Sequence, residues 1–167
     1  MITIDDAGWG CPVLGVCIAV AREETGEHYV GRIPTELFQR KFADREYLER
    51  AWQIVKEGLG SIKVKEEERI IICSGYILSF AAEELAREGR SVEIRSGIDF
   101  KSHEFAEKAF LDWLREVGAP RADLDRRGAS FHELTKWVFE DREREKRFGK
   151  TGWKAWRKWR DYWRRRH

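Results

Sequence analysis

Apolar and polar residues alternate from the start of the chain, with Ile2 and Ile4 set against Thr3 and Asp5, the period of two that predicts a half-buried strand. The run from Val13 to Ala21, rich in Val, Ile and Ala, predicts a second strand, and His28 to Ile33, closed by Pro34, a third. Short polar turns between them make the three an antiparallel meander. A helix follows from about Asp44, with Leu48, Trp52, Val55 and Leu59 at helical spacing and a stop near Gly58 or Gly60. Ile70 to Cys73 is short and continuously apolar, which predicts a strand buried on both faces. Tyr76 to about Arg87 predicts a helix closed by Gly89, and Ser91 to Arg95 a fifth strand. From about Ser102, Phe105, Ala106, Ala109, Phe110, Trp113, Leu114 and Val117 form the apolar stripe of a further helix that stops at Gly118.

That order, three strands and then helix, strand, helix, strand, helix, occupies residues 1–120 and predicts an α/β domain. Residues 121–149 read as a charged linker over 121–128 and then a helix. Ser130 and Glu133 have the spacing of a capping box, Phe131, Leu134, Trp137 and Val138 give an apolar side, and the helix is expected to run on to Gly149. Residues 150–167 form a basic, Trp-rich tail.

The first strand ends in Asp5-Asp6-Ala7-Gly8-Trp9-Gly10. Two adjacent carboxylates at a sheet rim repel each other, and a hard divalent cation would relieve that. Asp and Gly also build ordinary hairpin turns, so the residues alone leave both readings open. This stretch, with Pro12, Gly15 and the small apolar residues after it, resembles the opening of type 2 ribonucleases H. Asp6 stands where that family has Glu, Trp9 where it has Arg, and Pro12 lies one residue further on. The element order is similar to the ribonuclease H-like superfamily as well. The resemblance implies a mixed five-stranded sheet, the meander extended by two parallel strands, with flanking helices and here a C-terminal helical extension. It also implies nuclease activity with Mg2+ or Mn2+, Asp5, Asp6 and Asp99 as metal ligands, Glu104 or Glu107 positioning a metal or water, and His103 assisting product release. Ser74 falls where active members carry an acid. A non-catalytic binding or assembly module is therefore the competing expectation, and a nucleotide-binding, actin-like ATPase ranks below it because the chain is short. Acids in a first helical turn also simply complement the helix dipole, which is the plainer account of Glu104 and Glu107.

Composition changes this picture in two respects. Cys11, Cys17 and Cys73 are odd in number and lack metal-ligand spacing, so they read as reduced thiols of a cytoplasmic protein; no apolar run is long enough for a membrane span. Abundant mixed charge without a single asparagine suits a heat-tolerant protein. Charge is also segregated. From Arg142 to His167 twelve Lys and Arg face three acids, net +9, so the remainder carries −7 of the overall +2.

The tail's tryptophans fall on one side of a helix and most of its cations on the adjoining side. Trp153 and Trp156 could stack on bases while Lys154, Arg157, Lys158, Arg160 and Arg164 hold phosphate, with Lys101 nearer the acids. The same indoles could instead dock on this protein's own core or on a second copy as a homodimer, and a membrane surface ranks third.

Overall fold

The computed structural model describes residues 1–97, 99–121 and 127–167. Five strands, β1 (Ile2–Ala7), β2 (Val16–Arg22), β3 (His28–Ile33), β4 (Ile70–Cys73) and β5 (Val92–Arg95), form one sheet in the order β3-β2-β1-β4-β5. β1 and β2 pair antiparallel from Ile2 opposite Arg22 to Ala7 opposite Cys17, and β3 continues the meander. β4 joins the other edge of β1 in parallel, with Ile4 opposite Ile72, and β5 extends it in parallel. The α/β domain expected from the pattern is observed, and its sheet is mixed and five-stranded, as the resemblance implied.

Six helices flank it among the described residues: α1 (Glu46–Ser61), α2 (Ser79–Arg87), α3 (Lys101–Glu116), α4 (Arg127–Phe139), α5 (Arg142–Phe148) and α6 (Trp156–Arg166). None is long and apolar enough to cross a membrane. The pleat of β1 divides the core. Ile2 and Ile4 point with Val16, Ile18, Val20, Ile70 and Ile72 into a layer filled by Ile54 and Val55 of α1 and Leu85 of α2. Ala7, Cys17 and Ala19 face the other way, against Ala106, Phe110 and Leu114 of α3, Leu134 and Val138 of α4, and Trp156 of α6. The C-terminal helices therefore complete the second layer of the same core.

α1 ends at Ser61, next to the expected stop at Gly60, and a Cβ on Gly58 would lie 2.6 Å from Val20 Cγ2, so that glycine serves close packing of helix on sheet. Two other boundaries differ from expectation for local reasons. The helix expected to run to Gly149 breaks at Asp141, whose extended backbone and side chain, accepting from the amides of Glu143 (2.8 Å) and Arg144 (3.2 Å), start α5 afresh. Ser130 lies inside α4, which begins at Arg127, so it is not the expected cap. The charged linker expected over 121–128 lies largely outside the described residues.

The chain returns to its beginning after α5. Val13 and Gly149 form an antiparallel bridge, flanked by Leu14 N donating to Phe148 O (2.7 Å) and Lys150 N donating to Pro12 O (2.9 Å). This strap fixes the loop that follows β1.

Candidate functional site

Parallel pairing brings the carboxyl ends of β1 and β4 side by side, which is where open α/β sheets gather ligands. Asp5, on the α3 side of the β1 pleat, is only 4% exposed. One of its oxygens accepts from the Asp6 amide at 2.8 Å, and the other lies 2.9 Å from His103 Nδ1. Nε2 of the same ring lies 3.2 Å from Glu107 Oε1. His103 and Glu107 are four apart on α3, and the burial of Ala106 and Phe110 beside them sets the rotation of the helix that presents both. The imidazole thus stands between two carboxylates. It can donate to both at once only when both nitrogens carry protons.

Donor atoms of Asp5, Asp6 and Cys73 all lie within 4.8 Å of one another. Burial, and then the neighbouring Asp5 carboxylate, push the Cys73 thiol up to about 11, so at neutral pH its sulfur is protonated. The backbone makes room for this cluster: a Cβ on Gly75 would come within 3.0 Å of Asp6 Oδ1. Gly8, at φ +100°, turns the chain directly over the Phe110 ring, where a Cβ would meet Cε2 at 2.3 Å.

Around these groups opens a cleft of about 710 Å3, lined by β1 and its loop from Asp5 to Pro12, by Cys73, Gly75 and Gly97, by His103 and Glu107, and by Ser130, Phe131 and Leu134 of α4. Lys150 supports the loop from behind. Fully buried, its Nζ donates to the carbonyls of Gly8 and Cys11 at 2.7 Å each and reaches Val13 O at 3.4 Å. Its ammonium also lies 5.3 Å from the Phe38 ring centroid. Desolvation lowers its pKa from the ordinary 10.5 to about 8.

Among the residues expected at the site, Asp5, Asp6, His103 and Glu107 meet in the cleft. Asp99 is exposed and does not line it, and Glu104 points to solvent, one position round the helix from His103. Neither joins the donor cluster. Lys101 is tied to the β2–β3 turn instead, its Nζ donating to Glu23 O at 2.5 Å. Ser74 is exposed, and the preceding Cys73 takes the place beside the aspartates. Cys73, Lys150 and the α4 wall were not foreseeable as site residues. The strand-end position of Cys73 was visible, but nothing in the sequence marks Lys150.

The tail corrects the expectation that its indoles are free to stack on bases. Trp156 is 3% exposed and donates Nε1 to Glu145 Oε1 at 2.9 Å, and Trp153, Trp159 and Trp163 pack against the second core layer. Docking on the chain itself buries much of this aromatic surface. Arg160 (3.3 Å) and Arg164 (3.6 Å) are engaged with the buried Glu145. Lys154, Arg157 and Lys158 remain exposed.

Two carboxylates and a sulfur at a strand end could hold a metal ion. A protonated sulfur adds little for Mg2+ and is better tolerated by softer ions. Fold and cleft together define an α/β protein with an acidic, cation-competent site at the parallel strand ends. Comparison with family models, with curated proteins and with solved structures finds no match.

Proposed function

We propose that this chain is a divalent-metal-dependent phosphodiesterase of the ribonuclease H-like type, acting on nucleic acid. One observation carries the reading: a nearly buried Asp5 at the end of the central strand shares a donor cluster with Asp6 and Cys73 on the floor of an open cleft. A divalent cation held there supplies water activation and charge stabilisation at the leaving oxygen. The chain's own residues do the rest. Asp5 and Asp6 would hold the cation, His103 would hold or pass a proton at the cleft wall, and Glu107 orients the imidazole from its far side. The exposed cations Lys154, Arg157 and Lys158 draw in the phosphodiester backbone.

A thiol where a further carboxylate would complete the site favours a second reading, a module that binds nucleic acid without cutting it. Mn2+ titration separates the two. At about a hundredfold excess over its dissociation constant, Mn2+ should stabilise the wild type by about 2.7 kcal/mol, a rise of several degrees in Tm, and support cleavage of DNA, RNA or hybrid substrates. Asp5→Asn should lose both effects. A Tm shift without cleavage would leave the binding module, and no shift at all would remove the metal.

A further inference from the structure

The cleft has an aromatic lip that metal chemistry does not use. Trp9, in the loop after β1, lines the cleft, and its ring stands 5.6 Å from that of Tyr76, in the turn after β4. Both rest on Tyr47 of α1, at 5.6 Å from Trp9 and 6.5 Å from Tyr76. Tyr47 is 3% exposed and clusters with Phe38 and Phe42 at 5.3 Å from each, so the lip has a buried footing. The backbone of Tyr76 is held by Ser79 Oγ, which donates to its carbonyl at 2.7 Å, and its ring packs edge-on against Tyr47. The residue is nevertheless 44% exposed, whereas most large aromatic residues of this protein are covered. It directly follows Gly75, the residue whose bare backbone lies against Asp6. An exposed ring, packed on Trp9 and Tyr47, therefore follows directly on the glycine that lies against Asp6.

We infer that Trp9 and Tyr76 form a base-stacking subsite that holds an unpaired nucleobase of a nucleic acid strand whose phosphate lies at the Asp5–Asp6 cluster. A planar ring stacking on Tyr76 needs no hydrogen-bond readout, so the subsite accepts any base and selects for single-stranded or splayed substrate. A further wall is aromatic, and cations stand on the helix behind it, outside the cleft lining. Phe131 of α4 lines the cleft and packs edge-on at 5.3 Å against Trp159 of α6, whose helix exposes Arg157 and Lys158. The inference rests on the phosphodiesterase reading for where the phosphate lies, and on the rings alone for the stacking.

The test uses the full chain with fluorescein-labelled deoxyadenosine dodecamer and an abasic dodecamer of the same length, measured by anisotropy in Ca2+. The wild type should prefer the base-bearing strand by about tenfold. Tyr76→Ala should abolish that preference while leaving affinity for the abasic strand unchanged, and Tyr76→Phe should retain it. A preference that survives Tyr76→Ala, or a wild type that binds both strands alike or neither, overturns the subsite. The Mn2+ Tm shift of Tyr76→Ala reads the metal site separately. A base preference without any Mn2+ effect would sustain the subsite while the nuclease reading falls.

Discussion

Replacing Lys150 by methionine keeps much of the side chain's length and removes its amine, so the difference in unfolding free energy between wild type and Lys150→Met isolates the buried nitrogen. Burial lowers its folded-state pKa from 10.5 to about 8. In the unfolded chain the amine stays protonated until near its ordinary value. Between the two values the unfolded state therefore binds more protons, and the wild type gains stability as pH rises. At 1.36 kcal/mol per pKa unit, the charged amine costs the fold about 3 kcal/mol below about pH 8. Between about pH 8 and about pH 10 the wild type should recover about 2 kcal/mol relative to Lys150→Met. A neutral amine still has two N–H groups, enough for the two short contacts with Gly8 and Cys11, so losing the proton need not open the loop. The comparison also cancels Cys73, on which Lys150 does not act, whereas Cys11 and Cys17, which the Lys150 charge holds down against burial, rise further in Lys150→Met and add to the wild type's relative gain at high pH. Burial raises Cys11, raises Cys17 to about 12 and raises Cys73 to about 11, so their contribution is full below 9.0 and is lost as pH climbs through the raised values. Urea unfolding followed by tryptophan fluorescence across this pH range supplies the free energies, and an Nζ titration by 15N NMR supplies the midpoint. A difference between the two proteins that stays flat, or that turns against the wild type as pH rises, would refute a buried cationic amine behind the cleft loop.

Two other changes probe the same architecture. Glu145→Gln keeps an acceptor for Trp156 but removes the charge facing Arg160 and Arg164, and should cost about 2 kcal/mol, with hydrogen exchange rising over 156–166; an unchanged Tm and unchanged exchange would mean that α6 does not depend on this buried carboxylate. Gly8→Ala places a methyl group 2.3 Å from a Phe110 ring atom at a backbone angle that side chains avoid, so it should lower stability by about 2 kcal/mol or more and weaken the Mn2+ response, while a protein melting like wild type would contradict the packing of the loop on α3.

The sheet was legible because its signals are local. Period-two alternation in β1, the Pro34 stop after β3 and the uninterrupted Ile70–Ile72 run each report their own element without knowledge of the rest. The site was legible only as far as β1 carries it. Asp5 and Asp6 could be named from their place at a strand end, but which α3 acid joins them depends on how that helix is rotated against the sheet. Ala106 and Phe110 settle that in favour of His103 and Glu107 and leave Glu104 outside. Cys73 arrives through the parallel register of β1 and β4, a contact between residues far apart in the chain. The tail's helical pattern revealed an amphipathic surface without naming what covers it. That depends on the Val13–Gly149 bridge, which turns the chain back on itself.

The bridge also bears on the order in which the protein comes into being. During synthesis β1 and its glycine-rich loop emerge long before α5, and the backbone partners at 148–150 and the amine that satisfies the Gly8 and Cys11 carbonyls are translated some hundred and forty residues later. A nascent chain therefore exposes an unbraced loop until ribosomal elongation is well past α5, and a chaperone has that interval in which to act.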